Sequence, residues 1–437
     1  MLGYYLRLAW LSLKRTPAIT ALMIGAIALG IGATTTTLTV YHRMSTNPIP
    51  ARSDVLRAVT LDSWSPDRPW DEEHPEFAPP ELTYRDAIAI AAGAPASRMV
   101  VMRKTSLTSE PGAGRPPFLV EARLATREFF PMFDVPFAYG TGWDARADRD
   151  AEPVVVLSKE TNGKLFGGEN SVGRVLHLDG REYRVVGVLA DWQPTPKFYD
   201  LNNGDYDTPE DIFLPFGLGY ALDLQPAGNV NCWKAETLAG VHDLFGSNCI
   251  WHQMWAELRT PAEVDRFQSW IDGYVAEQKK LGRFPRKLNN RLYDVDQWLA
   301  RHKVVGRDSR VLLVVSFAFL AVCVLNVVGL LLSRFLGAAG SSAIRRALGA
   351  SRGEIFRQHL VEVSLVGALA GLGGLALGTV GLKALQQLYS SYDRLTQLDL
   401  SMVLAAIALA VLAGVLAGLY PAWRICRVQP AGYLKTQ

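Results

Sequence analysis

Catalytic equipment is what this sequence has least of. No G-x-x-x-x-G-K-S/T string occurs, and the nearest stretch, Gly168-Glu-Asn-Ser-Val-Gly173-Arg-Val, lacks both the lysine and the hydroxyl that would hold phosphate and magnesium. H-E-x-x-H and S-x-x-K arrangements are absent too, so no catalytic residue is assigned. Charge imbalance is also missing. Forty-five Lys and Arg against 42 Asp and Glu leave +3, with no basic run in the soluble part, which argues against a nucleic-acid partner. Cysteine is scarce, and of four only Cys232 and Cys249 fall in the polar middle of the chain. In an oxidising compartment these two would pair as a disulfide. His242 and His252 lie close by, but the spacing Cys-x9-His-x6-Cys-x2-His fits no standard zinc pattern, so no metal site is expected.

What the chain does have is four long apolar runs. Residues 18–41, 311–332, 363–385 and 400–420 each hold close to 20 mostly apolar residues. That is the helix length demanded by a hydrocarbon core of roughly 30 Å. Residues 42–310, between the first run and the second, carry most of the charge, Trp and Pro. The fold class is therefore a membrane α-helical protein of four spans, with a mixed α+β extracytoplasmic domain inserted between spans 1 and 2.

Basic residues orient the spans. Arg7, Lys14 and Arg15 precede the first span, Arg334, Arg345, Arg346, Arg352 and Arg357 lie between the second and third, and Arg424, Arg427 and Lys435 follow the fourth. The positive-inside rule makes segments 1–17, 333–362 and 421–437 cytoplasmic, with both termini inside. The loop 386–399 has Arg394 against Asp393 and Asp399 and falls outside with residues 42–310. Arg301, Lys303, Arg307 and Arg310 run against this orientation, but long domains translocate largely regardless of such charge. The first run is too long for a signal-peptide core and no A-x-A-like site follows it closely, so it reads as an uncleaved anchor.

Local patterns fill in the rest. Residues 4–14 suit a short amphipathic helix on the inner membrane face. The first span carries Gly25, Gly30 and Gly32 and then Thr34 to Thr37, whose hydroxyls can bond back to helix carbonyls. Residues 47–80 are too rich in turn formers to be regular throughout. Strands are expected at 98–102, 118–125, 153–157, 175–178 and 182–189, with Asp179-Gly180 as a hairpin turn. Helices are expected at 79–92, 158–165 and 261–280, and residues 297–308 should run on into the second span as a stiff stalk. In the third span Gly367, Gly371, Gly374 and Gly378 fall on one face; in the fourth, Ala406, Ala410, Gly414 and Gly418 recur every four residues. Such stripes let helix backbones approach closely in lipid. Glu362 and Lys383 lie near span ends, where snorkelling accounts for them.

Ile344-Arg-Arg-Ala-Leu-Gly-Ala-Ser-Arg352, followed by Glu354-Ile-Phe-Arg-Gln-His-Leu-Val-Glu362, resembles the cytoplasmic loop of FtsX-like and MacB-type ABC transporter permeases. Gly418-Leu-Tyr-Pro-Ala-Trp-Arg424, with Pro430 after it, is similar to that family's C-terminal signature. In the middle domain, Ala125-Thr-Arg-Glu-Phe-Phe130 with Val135-Pro136, Leu165-Phe-Gly-Gly168, Val172-Gly173, Leu178-Asp-Gly180 and Val185-Val-Gly187 resemble the periplasmic core domain of MacB-type permeases. The resemblance implies a permease of the bacterial inner membrane, itself no enzyme, that passes no cargo through its spans. A dimer with a second copy or paralogue would hold ABC ATPase subunits, and nucleotide-driven closure would reach the outside domains. ATP and Mg would sit on that partner, with no cofactor in this chain. It further implies that Ile344, Arg345, Arg346, Leu348, Gly349, Ser351, Arg352 and Glu354 form the coupling element that seats in the ATPase. Family members usually place an E-I-G-I-R-like pattern here, whereas Ser341, Ser342 and Ala343 precede Ile344. MacB archetypes carry their ATPase domain ahead of the first span; this sequence begins at that span, so a separate ATPase chain is expected.

Residues 191–255 are less typical of the family, with Trp192, Phe198, Tyr199, Trp233 and Trp251 among several aromatics. They could form a surface that grips a hydrophobic substrate or an adaptor, with burial in the core as the competing reading. The functional expectation is a MacB-type exporter of peptides, antibiotics or other amphiphiles, working with a membrane-fusion adaptor and outer-membrane channel. The alternatives are an FtsX-like transducer that switches cell-wall hydrolases and a lipoprotein-releasing permease; a membrane-anchored enzyme comes last.

Overall fold

The computed structural model describes residues 2–111, 116–337, 340, 344–345, 348–388, 395–396 and 400–426. It divides into a membrane unit, residues 1–45 with 305–437, and an inserted unit, residues 46–304.

Among the described residues, four helices are long and apolar enough to cross a membrane: Pro17–Ser45, Arg307–Gly337, Arg352–Leu388 and Leu400–Cys426. Each overruns its predicted span, and the 37 residues of the third reach about 55 Å, well beyond the hydrocarbon thickness. Hydropathy marks only the part of a helix in lipid. Backbone hydrogen bonding continues through polar flanks. The amphipathic helix Leu2–Arg15 precedes the first span, which starts at Pro17, a residue that needs no N–H partner in a first turn. Across that break the Thr20 hydroxyl donates to the Leu13 carbonyl at 3.1 Å.

The expected stalk is not continuous. Helix Val295–Arg301 ends, Lys303 turns into the left-handed region at φ 51°, and a new helix starts at Arg307. The physical reason is Val304, which is buried in the inserted unit's core while its carbonyl accepts the Tyr206 hydroxyl at 2.5 Å. A helix running straight through could not make that turn.

The inserted unit is built on ten strands: β1 Leu56–Thr60, β2 Arg98–Ser109, β3 Phe118–Ala125, β4 Phe137–Gly140, β5 Val154–Leu157, β6 Val175–Leu178, β7 Arg181–Leu189, β8 Ile212–Pro215, β9 Gln253–Glu257 and β10 Arg291–Tyr293. Their order is β10-β1-β9-β2-β3-β8-β5-β7-β4, with β6 beside β7 and touching β2. The sheet is mixed, since β3–β8 and β5–β7 are parallel. Asp179 and Gly180, at φ 45° and 73°, make the β6–β7 hairpin turn that their sequence announces.

Both faces of the sheet are covered. Val155, Leu157, Ile212, Leu214 and Met254 point into one core; Val154, Val156, Phe213 and Trp255 alternate into the other. The first face is closed by helix Tyr84–Gly93 through Ile90 and by helix Pro261–Lys280 through Phe267, Ile271 and Val275. Thr83, Ser158 and Thr260 cap their helices through side-chain oxygens, which puts the predicted 79–92 element at Tyr84 and the 158–165 element at Lys159–Phe166. Phe129, Phe198, Tyr199 and Trp298 close the second face.

Candidate functional site

In the loop between the second and third spans the structure describes Ile344 and Arg345 and residues 348–351. The Arg345 guanidinium donates to Gln358 Oε1 at 2.5 Å, which ties the loop back onto the third span. Gly349, at φ 103°, turns the chain in a conformation that a side chain would strain. Ser351 and Glu354 then form a reciprocal cap: Glu354 N–H donates to Ser351 Oγ at 3.2 Å and Ser351 N–H to Glu354 Oε2 at 2.8 Å. Part of the predicted coupling string is thus the start signal of the third span. Arg352 is its first helical residue, and Arg346 lies outside the described residues.

What remains available is apolar. Ile344 is 50% exposed and Leu348 83% exposed. Beside them a groove of about 300 Å³ runs between the loop and the N-terminal helix, lined by Tyr4, Tyr5, Arg345, Leu348, Glu354 and Ile355, among others. Aromatic walls, an unburied leucine and one charge of each sign suit the recognition of a protein surface. The two tyrosines escaped the sequence reading, because nothing along the chain places residues 4–5 against residues 345–355.

At the base of this loop, three elements meet on buried charge. Arg334 at the end of the second span pairs with Glu362 of the third at 2.6 Å and donates to Ser12 Oγ of the N-terminal helix at 3.1 Å. His359 Nδ1 lies 3.4 Å from the other Glu362 oxygen, and its ring packs 4.2 Å from that of Phe335. Glu362 is 1% exposed, so the snorkelling reading of this residue is corrected. A carboxylate placed just inside an apolar run is costly unless paired, and that cost was the signal available in the sequence.

The small-residue stripes serve two neighbours. A Cβ on Gly371 would stand 2.8 Å from that of Ala410, and one on Gly367 3.3 Å from Gly414 Cα, so these residues bring the third span against the fourth; Gly418 does the same against Val363. Gly374 instead faces Ile31 and Ala28, and Gly378 faces Thr35 of the first span. One face meets two partners because Gly367 and Gly378 are about 16 Å apart along the axis. Ala406 is buried in the fourth span. Two of the threonines bond back, Thr36 to Gly32 O at 2.9 Å and Thr37 to Ala33 O at 3.1 Å, and some also cross between helices. Thr34 donates to Ser316 O at 3.0 Å and Thr37 to Ser316 Oγ at 2.8 Å.

In the inserted unit the aromatic surface is largely corrected. Phe198, Tyr199 and Trp251 are buried, Trp192 is half-buried and stacks on Tyr199 at 5.5 Å, and Trp233 is half-buried. Phe198, Tyr199 and Trp192 pack the second core around a closed charge network, whereas Trp251 packs with Val241, Leu244, Phe245 and Cys249. Arg123 is held by Asp200 and Glu210, Lys197 reaches Glu210 at 2.7 Å, and the Tyr199 hydroxyl donates to Glu210 at 3.0 Å. Burial alone would raise the Glu210 carboxyl, but the Arg123 and Lys197 charges outweigh it and hold the group below the ordinary range. Cys232 and Cys249 form a disulfide with S–S 2.01 Å. His242 contacts Asp223, and His252 is fully buried; among the described residues no cluster of three or more His, Cys, Asp or Glu is placed to hold a metal.

Residues 20–274 match the family model of the MacB-like periplasmic core domain, and residues 313–430 that of the FtsX-like permease C-terminal region. Among curated relatives, the macrolide export ATP-binding/permease protein MacB of Syntrophobacter fumaroxidans is 25% identical over 338 residues, covering 70% of this chain and 46% of that protein. The pyoverdine export ATP-binding/permease protein PvdT of Pseudomonas aeruginosa is 24% identical over 312 residues, covering 71% and 41%. The chain therefore spans less than half the length of these two relatives. Among solved structures, the periplasmic region of MacB from Actinobacillus actinomycetemcomitans aligns with 59% of this chain and 96% of its own, at 11% identity and a TM-score of 0.37.

Proposed function

The chain belongs to the MacB-like, FtsX-like family of ABC transporter permeases, and from that premise we propose that it converts ATP binding and hydrolysis by a partner into movement of its inserted domain, driving export of peptides, antibiotics or other amphiphiles. The groove between the N-terminal helix and the loop would receive the ATP-binding partner on the cytoplasmic side. A second permease copy or paralogue would complete the assembly, and an adaptor with an outer-membrane channel would carry cargo onward. The observation that carries this reading is the combination of exposed Leu348 and Ile344 with Arg345 beside a tyrosine-walled groove. Apolar side chains this open are stable at a membrane-proximal loop when a partner covers them.

Support also comes from what the spans do with their polar groups. Arg334 and His359 each lie within ion-pair distance of Glu362 at one end of the bundle, and small residues elsewhere bring the helices together. Such a bundle is suited to moving as a lever.

Co-purification tests the docking. Leu348→Asp combined with Arg345→Glu should reduce recovery of the ATP-binding partner and abolish cargo-stimulated ATP hydrolysis, while the chain still reaches the membrane. Undiminished recovery with normal stimulated hydrolysis would overturn it. If the partner binds normally but cell-wall hydrolysis rather than cargo efflux responds, the transducer reading replaces export.

A further inference from the structure

The disulfide region carries a second site that coupling does not use. The loop closed by Cys232 and Cys249 forms one wall of a cleft through Glu236, His242, Asp243 and Phe245; Tyr84 and Tyr220, from helices Tyr84–Gly93 and Leu218–Ala221, form the other. Its volume is about 640 Å³. That falls inside the range of roughly 300–1,000 Å³ found for small-molecule sites. The covalent closure of the loop holds the first wall in place without a ligand, which lowers the ordering cost of binding.

The walls are aromatic and the rim is acidic. Tyr84 and Tyr220 lie nearly parallel, 6.2 Å between centroids, and Phe245 stands edge-on to each at 4.8 and 4.9 Å. The His242 ring is 5.1 Å from Tyr220. Tyr220 keeps 47% of its surface open, so a ring face is available to a ligand. Glu236 accepts from the Asn248 backbone and side-chain N–H groups at 3.1 and 2.9 Å, and Asp243 accepts from Ala239 N–H at 2.7 Å. Among the described residues neither carboxylate takes part in an ion pair. Arg85, the cation in the lining, is turned to the Ser247 carbonyl at 3.3 Å and Asn248 Oδ1 at 3.0 Å. Asp223, just outside, faces His242 at 3.1 Å.

We infer that this cleft binds a small organic cation, a quaternary or protonated amine carried on an apolar or aromatic body. The positive head meets the tyrosine faces and the Glu236 and Asp243 carboxylates, and the body lies against Phe245. Ring quadrupoles and carboxylates both attract positive charge, and both disfavour an anion. A neutral molecule of the same shape satisfies only the apolar part of the site. Of the cleft's two tyrosines, Tyr220 is exposed and Tyr84 half-buried, and neither lies within the 232–249 loop.

The test is calorimetric titration of the full chain in a neutral detergent with benzyltrimethylammonium, and with choline against its uncharged isostere 3,3-dimethylbutanol. Saturable binding is expected, with choline preferred over the isostere by roughly tenfold and Tyr220→Ala weakening benzyltrimethylammonium by a similar factor. Glu236→Gln with Asp243→Asn keeps both backbone contacts, so it should fold normally and still weaken the cation selectively. Equal affinity for choline and the isostere would overturn the inference. So would binding indifferent to both variants, or none by about 10 mM. None of these outcomes depends on an ATP-binding partner, so they are separable from failure of the coupling reading.

Discussion

Glu81 lies buried, with Gln253 donating to it at 2.7 Å, and burial followed by the nearby Asp200 charge lifts its carboxyl from the ordinary range to about 8. A carboxyl raised in the folded state favours folding only while protonated. Its stabilising share is complete below the unfolded value near 4.5 and is lost as pH rises towards about 8. Glu81→Gln, which can still accept from Gln253, should therefore raise the unfolding temperature at pH 8 and leave it nearly unchanged at pH 4. A gain of equal size at both pH values would show that Glu81 is not held protonated. Arg123, Asp200 and Glu210 could not be read as a network from sequence. They come from β3 and from residues 77 and 87 positions further on, and nothing local announces that they share one core. The same distance explains the misplaced aromatics: Phe198 and Tyr199 occur in a polar, Pro-rich stretch, and only the fold turns them under the sheet.

Elements were legible where one local signal decided them. Helix Pro261–Lys280 has Thr260 as cap and Pro261 in its first turn, and its bounds are those expected. The β6–β7 hairpin follows from Asp179-Gly180. By contrast β1, β4, β8, β9 and β10 are only three to five residues long, too short for a period to show, and several are buried on both faces, where alternation disappears. The break after Arg301 was missed for a different reason, since a buried Val304 inside a helix-compatible run looks like one more apolar position. Where the N-terminal helix and the second and third spans meet, the Arg334–Glu362 pair should act as a unit. Arg334→Gln or Glu362→Gln alone leaves one buried charge unpaired, at a cost of about 3–5 kcal/mol. Removing both should cost less than the two single losses added together, by roughly 1–3 kcal/mol in chemical unfolding of the micelle-embedded chain. Simple additivity would mean that the two groups do not interact energetically.

For the molecule as a whole, the four spans and the inserted α and β domain follow from hydrophobic length and composition, because membrane insertion depends on sums over about 20 residues rather than on any one contact. The groove beside Leu348 does not, because it joins residues 4–5 to residues 345–355 through tertiary packing. The third span lies against both the first and the fourth through glycines, and its base is held by Arg334 and Ser12, so displacement of the loop would be shared among helices. Hydrogen–deuterium exchange of the chain bound to the proposed ATP-binding partner tests most directly whether movement of this loop reaches the inserted unit. With a non-hydrolysable ATP analogue, exchange should change within residues 46–304, and that response should be lost in the Leu348→Asp, Arg345→Glu variant. Unchanged exchange throughout residues 46–304, with nucleotide demonstrably bound, would contradict that transmission.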